Sequence, residues 1–244
     1  NINASPIKTE NFEWSLNYNV SLNDNKITAL STDQPQGGIS TGVGNNVQVH
    51  REGETANSFF VFQQVYDVSG APIEGVFVDR NSDNIINEED KYINEDPFAD
   101  ILMGLNTNVS YKNWDLSVQS RASFGNYMYN DVAANKGIQV NATNNNILSN
   151  LHADYYTSGF TVISDKTALS DHFVQDASFF KIDNISLGYT FNSANNQTFK
   201  LYGSMQNVLI ITDYDGLDPE INLGIDNNFY PRPRTGVFGI NIDF

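Results

Sequence analysis

The sequence predicts an all-β protein built as a transmembrane antiparallel β-barrel, and three observations carry that expectation. Apolar and polar residues alternate over segments long enough to cross a bilayer. Short turns take turns with long loops along the chain. No run of 18 consecutive apolar residues exists for a membrane helix, so any crossing falls to strands, whose lipid face is carried by every second residue.

The first segment is Asn11 to Leu22, where Phe12, Trp14, Leu16, Tyr18, Val20 and Leu22 alternate with Glu13, Ser15, Asn17, Asn19 and Ser21. A period of 2 sustained over six repeats has no helical competitor. Its length matches the about 9–11 residues of a membrane strand and exceeds the about 5–6 of a soluble one. The pattern returns in Ile101 to Tyr111, with Ile101, Met103, Leu105, Val109 and Tyr111 against Gly104, Asn106, Asn108 and Ser110. A tight Lys112-Asn113 turn leads to Trp114, Leu116, Val118, Ala122 and Phe124 alternating with Asp115, Ser117, Gln119, Arg121 and Ser123. Phe179 to Phe191 repeats it through Ile185, Leu187, Tyr189 and Phe191. After a turn at Asn192 to Gln197, Phe199, Leu201 and Met205 face away from Tyr202, Ser204 and Gln206. Phe238, Ile240, Ile242 and Phe244 close the chain. About eight membrane strands are expected in all.

Between them lie long polar loops at about 71–98, 126–178 and 211–234, rich in Asn, Asp and Gly. Short turns on one side and long loops on the other mark an outer-membrane barrel. Loops beyond about 12–15 residues are uncommon in compact soluble domains. Val43 to Val78 fits less well: Phe59 to Phe62 run consecutively and leave no clean lipid face. A hairpin buried against other loops, or packed inside the lumen, is expected there.

Composition removes several function classes. The 244 residues carry 13 Lys+Arg against 29 Asp+Glu, a net charge of -16. That sign excludes the electrostatic footprint of a nucleic-acid binder and disfavours anionic head groups. Without Cys there is no disulfide scaffold and no thiol nucleophile. The three His, at 50, 152 and 172, are too scattered for a histidine-rich metal centre. Asn is abundant at 34 residues, and with 28 Phe and Tyr together it suits strands joined by many turns. The chain opens at Asn1 without a signal peptide or initiator Met, as a mature end or a fragment would.

The most specific local motif is Asp79 to Asp90, DRNSDNIINEED. Read as a calcium loop, Asp79, Asn81 and Asp83 occupy positions 1, 3 and 5, the carbonyl of Ile85 position 7, Asn87 position 9 and Asp90 position 12. Hard oxygen donors at alternate positions let one turn wrap a cation, while Ile86 can anchor the loop inward. Position 6 wants a left-handed residue, for which Asn84 is second to Gly. Asp in place of Glu at position 12 shortens the reach and implies weak affinity and a structural role. The plain alternative is a solvated acidic turn.

No catalytic constellation appears. Asp213, Asp215, Asp218 and Glu220 crowd one loop, but carboxylates in an acidic loop are ordinarily solvated, and no phosphate loop or Gly-x-Ser-x-Gly accompanies them. The chain is therefore not expected to be an enzyme. Asn19, Asn108, Asn141 and Asn184 stand in glycosylation triplets, as chance supplies in an Asn-rich chain. Tyr230-Pro-Arg-Pro-Arg234 reads as a stiff lead-in to the last strand.

Four stretches, in order, resemble the C-terminal part of the SusC/RagA-type TonB-dependent transporters. They are the Asp79–Asp90 loop; the hairpin from Tyr111-Lys-Asn-Trp-Asp-Leu to Phe124-Gly-Asn126; Phe180-Lys-Ile-Asp-Asn-Ile-Ser-Leu-Gly-Tyr189; and a final set. That set runs from Gln206-Asn207-Val-Leu through Tyr214-Asp-Gly-Leu-Asp-Pro-Glu220 and Tyr230-Pro-Arg-Pro-Arg-Thr to Phe244. Each alone is weak; the ordered set is specific. The resemblance implies the C-terminal portion of a barrel of about 22 strands, with a plug and the TonB-coupling region outside residues 1–244. It implies import of a glycan or peptide, a SusD-like surface lipoprotein as partner, and long loops facing outside the bacterial outer membrane. Two other readings of the residues stand beside it: a self-contained eight-strand barrel acting as anchor or adhesin, and a soluble calcium-stabilised sugar-binding sandwich.

Overall fold

The computed structural model describes residues 1–41, 45–142, 150–162, 164–193, 197–227 and 230–243. Val43, Phe244 and the middle of the Asn192 to Gln197 turn lie outside them. The main sheet is an antiparallel meander of β1 (Ile2–Lys8), β2 (Phe12–Leu22), β3 (Ile101–Tyr111), β4 (Trp114–Phe124), β5 (Phe179–Asn192), β6 (Thr198–Thr212) and β7 (Thr235–Asp243). Among the described residues each strand pairs only with its chain neighbours, in the order β1 to β7. β2, β3 and β4 stand where the alternation places them. Among the described residues the sheet is an open wall of seven strands with β1 and β7 at its two sides, against the about eight expected. A closed eight-strand barrel is not what these residues form.

β1 is the strand the sequence hid. Pro6 lies within it, and its pairing with β2 shifts between Ala4 and Ile7. A proline removes a ladder donor and is tolerated at such a bulge, so the alternation breaks where the strand does.

The connections divide by rim. Residues 9–11 and 112–113 make short turns at one end of the wall, where the Ser193 amide also donates to the Gln197 carbonyl at 2.8 Å. Lys112 is left-handed (φ 53°), and the Asn113 side chain donates to the carbonyl of Thr190 at 2.6 Å, tying two turns together. At the other rim the connections run through 23–100, 125–178 and 213–234.

These long connections, among them the expected loops 71–98 and 126–178, carry secondary structure of their own. They fold on one another into a cap with its own core. A four-stranded sheet (Gln34–Gly38, Asn46–His50, Ser58–Val61, Tyr92–Ile93) and a small hairpin (Gln64–Tyr66, Pro72–Phe77) come from the first insertion. The helices Asp131–Lys136, Tyr155–Ser158 and Asp165–Ala168 come from the second. Val47, Phe59, Val61, Phe62 and Phe77 pack against Tyr129, Ile138, Phe160, Leu169 and Phe173, all buried. The consecutive run Phe59 to Phe62 is explained by this: the segment is buried against other loops, so neither face needs to be polar.

Candidate functional site

The wall has two chemically distinct faces, and strand register lines them up across the whole sheet. Cross-strand partners share a face. One row at mid-wall reads Tyr18, Leu105, Ser120 and Ile182, and the row beside it Leu16, Thr107, Val118, Ile185 and Met205. Nearer the short-turn rim lie Val109, Leu116, Leu187, Gly203 and Phe238, then Tyr111, Trp114, Tyr189, Leu201 and Ile240. Trp14 belongs to this face, its indole donating to the Thr107 hydroxyl at 2.9 Å, so its one polar atom is satisfied. Phe238 and Leu187 stand exposed. Gly203 leaves a gap in the row that the Phe238 ring covers, 3.2 Å from where a Cβ would sit.

The apolar face ends in an aromatic rim beside the short turns. Phe12 lies 6.5 Å from Tyr111, Trp114 4.7 Å from Tyr189, and Phe191 stacks on Phe199 at 5.3 Å. Amphipathic rings in a band of this kind sit at the head-group level of an outer-membrane barrel.

The opposite face is mostly polar, with Val237 beside Ser204 and Leu102 beside Ser123 as apolar exceptions. One row runs Asn3, Asn17, Asn106, Gln119, Asn184 and Gln206, an amide on each of six adjacent strands. The next is Ser15, Asn108, Ser117, Ser186 and Ser204. Asn108 and Asn184, in two of the glycosylation triplets, belong to these rows; the side chain of Asn141 lies outside the described residues. Amides and hydroxyls both donate and accept, so this face suits water or a polar guest and is unsuited to lipid.

A bulge changes the pattern near the long-loop rim. Pairing of β5 slips at Asp183, and beside it β6 carries Asn207 in the left-handed region (φ 56°). One extra residue in β5 reverses its parity, so Phe180 and Ile182 take the apolar face while Lys181 turns to the polar side. There a charge cluster forms. Glu220 Oε2 lies 2.6 Å from Lys181 Nζ, and its Oε1 lies 2.5 Å from Arg121. Arg121 also grips Asp183 through two nitrogens at 2.8 and 3.2 Å. Arg232 pairs with Asp218 and, at 3.3 Å, with Glu220. Two of the four loop carboxylates are thus ion-paired anchors of the 213–234 connection. Nearby, Tyr214 donates to Asp226 at 2.9 Å, and burial, with Asp226 beside it, pushes the Tyr214 phenol far up, so it stays a donor.

The Asp79–Asp90 segment is a closed turn in the cap. Asp79 accepts the amides of Ser82 and Asn84 at 2.7 and 2.8 Å, and Asp83 that of Ile85 at 2.7 Å. Asn81 accepts from the Asp83 amide at 3.1 Å, and Asn87 caps residues 88–90 by accepting from Glu89. Asp90, fully buried, reaches back to the amides of Asn87 and Arg80, both at 2.8 Å. Those bonds, Asn87 foremost, hold its carboxyl below the usual range. Asn84 is left-handed (φ 66°). Ile86 packs on the cap core, and its carbonyl accepts from Lys166 at 2.6 Å. Among the described residues no three His, Cys, Asp or Glu are grouped as a metal site; the oxygens of this turn point at its own amides.

No protein-family model matches the chain. Over its whole length it is 44% identical to the TonB-dependent receptor SusC of Bacteroides thetaiotaomicron, of which it spans 26%. It is 29% identical, again over its full length, to the TonB-dependent receptor P3 of Formosa agariphila, of which it spans 28%. The fold superposes on a solved structure described as the RagAB peptide transporter with a TM-score of 0.70. That match covers 98% of this chain and 28% of the other at 19% identity, and shows the fold alone. The chain thus spans well under half the length of the proteins it matches.

Proposed function

We infer that this chain, 44% identical over its whole length to the TonB-dependent receptor SusC, belongs to the SusC/RagA-like TonB-dependent transporters and is a section of the barrel wall of an outer-membrane nutrient importer. The observation that carries this is the two-faced register: an apolar face with an aromatic rim on one side, rows of amides and hydroxyls across adjacent strands on the other. The apolar face meets lipid and the polar face lines the lumen. The short turns face the periplasm and the folded cap faces outside. Transport on this reading involves no covalent chemistry by these residues. A plug in the remainder of the protein blocks the lumen and energy delivered through TonB moves it. The relatives' description as TonB-dependent receptors supports this. The cargo is a glycan or a peptide, and a SusD-like lipoprotein pairs with the cap. The test is uptake of labelled glycans and peptides by cells with and without TonB, alongside outer-membrane fractionation of the intact protein. Uptake that persists without TonB, or a protein found in the soluble fraction, sinks the reading.

A structural calcium ion in the cap is a second proposal, for Asp79, Asn81, Asp83, the carbonyl of Ile85, Asn87 and Asp90. It is supported by the closed shape of the turn, with its left-handed Asn84 and anchored Ile86. Binding competes with the amide bonds already made by Asp79 and Asp83, which suits an extracellular-module affinity of about 10⁻⁴–10⁻³ M. Terbium luminescence on the intact protein tests it: a saturable signal displaced by calcium and lost in Asp83→Ala supports the site, and its absence removes it.

A further inference from the structure

On the polar face, beneath the 213–234 connection, lies a cavity of about 140 Å³. Lys181, Asn207, Ile210, Asp218, Arg232 and Arg234 are among the residues that line it. Its charge runs against the rest of the molecule. Lys181, Asp218, Arg232 and Arg234 line it, and Arg121, Asp183 and Glu220 form the ion-paired cluster directly behind Lys181, so that four cations stand against three carboxylates over cavity and cluster together. The local excess is one positive charge in a chain whose net charge is -16. The excess is also localised. Arg121, Lys181 and Arg232 are engaged by those carboxylates, whereas Arg234 has no ion pair or hydrogen bond among the described residues. The backbone leading to it is pinned, because the Asn207 amide donates to the carbonyls of Arg232 and Pro233 at 2.9 and 3.3 Å. Ile210, Leu217 and Pro231 give this open cavity apolar walls.

We propose that this pocket holds a carboxylate carried by a soluble ligand in the lumen, with the Arg234 guanidinium as its two-pronged donor. The proposal rests on the lumen reading above. A planar carboxylate matches the guanidinium fork, and its single negative charge cancels the single excess positive charge. A phosphate near two negative charges would overshoot it. Arg232, fixed by Asp218, bounds the pocket. Its place at the long-loop rim is where a ligand entering from outside first meets the wall.

The test is calorimetric titration of the intact purified protein with two matched pairs, N-acetylglycine against N-acetylglycinamide and D-glucuronate against D-glucose. The acid of at least one pair should bind about tenfold or more tighter than its neutral analogue, the worth of a charge-assisted contact. The preference should vanish in Arg234→Gln and survive in part in Arg234→Lys. Preference in the first pair alone indicates a peptide-type carboxylate, and in the second alone a sugar acid; either supports the site. Equal binding of acid and neutral analogue, no binding of either acid, or unchanged binding in Arg234→Gln overturns it, including the case in which a carboxylate of the protein itself fills the pocket. Labelling of Arg234→Cys by a water-soluble maleimide in outer-membrane vesicles separates the two levels. A labelled thiol with no acid preference ends the carboxylate site alone, and an unlabelled thiol ends the lumen reading with it.

Discussion

Placing a charge on each face in turn tests the orientation of the wall, and the structure says where the contrast is greatest. Strands rise about 3.3 Å per residue and tilt about 40° in such barrels, within an apolar band about 25 Å tall. Counting from the aromatic row at Trp114, the Leu116–Leu187 row stands only about 5 Å into that band. The Val118–Ile185–Met205 row stands about 10 Å in, close to the midplane at about 12 Å. Arg at Ile185 should therefore destabilise the intact protein by close to the full midplane penalty of about 2–4 kcal/mol, and Arg at Leu187 by clearly less. Ser186 pairs with Ser117 and Ser204 on the other face, and Arg there should change stability by no more than about 1 kcal/mol. Guanidinium titrations of the protein folded in lipid vesicles, followed by tryptophan emission and heat-modifiable gel migration, measure all three. A penalty for Ser186→Arg equal to that for Ile185→Arg would refute the two-faced register. Equal penalties at Ile185 and Leu187 would refute the depth scale.

Glu220→Gln should release the loop it anchors. The carboxylate is nearly buried and serves three cations, so its loss should weaken the 213–227 attachment by about 3–5 kcal/mol, seen as faster amide exchange there with β3 and β4 unchanged. In the cap, Glu74 accepts from the amides of Val162 and Thr161, both at 2.7 Å, and from the Thr161 hydroxyl. Partial burial works to raise its carboxyl, but these bonds outweigh it and hold the pKa below 4.5. A carboxyl depressed on folding contributes stability above its unfolded value and loses it as pH falls through the folded one. The contact should thus be intact at neutral pH and fail only below pH 4.5. Glu74→Gln should reproduce the acid state at neutral pH, read as loss of protection at Thr161 and Val162. Asp83→Ala removes an acceptor inside the acidic turn and should speed protease nicking near Asn84 several-fold while leaving gel migration of the barrel unchanged.

The parts of this fold that could be read in advance are those where one physical rule acts alone. In β2, β3 and β4 one face is apolar and the other polar, as a strand between lipid and water on the proposed reading requires, so every second residue answers to one environment and the alternation survives intact. The pattern fails where a second demand intervenes. At Pro6 it is a register irregularity, and at Asp183 a bulge reverses the parity so that Lys181 can reach Glu220. The cap was opaque for a different reason. Its core joins Val47 and Phe59 to Phe160 and Phe173, contacts more than 100 residues apart in the chain, and nothing local in an Asn-rich stretch announces such partners. The charge cluster shares that opacity, since Arg121, Lys181, Glu220 and Arg232 look like scattered surface charges until the meander brings their strands and loop together. Yet the amide rows were visible residue by residue, and only register was missing. Asn17, Asn106, Gln119, Asn184 and Gln206 each occupy the polar phase of their own strand, and the ladder sets them side by side at one height. A polar phase that merely tolerated water would have no reason to match heights across strands. On the lumen reading proposed above, a wall that offers uncharged donors and acceptors at one level does have such a reason, because a guest would meet a continuous hydrogen-bonding surface and no isolated charge at that height.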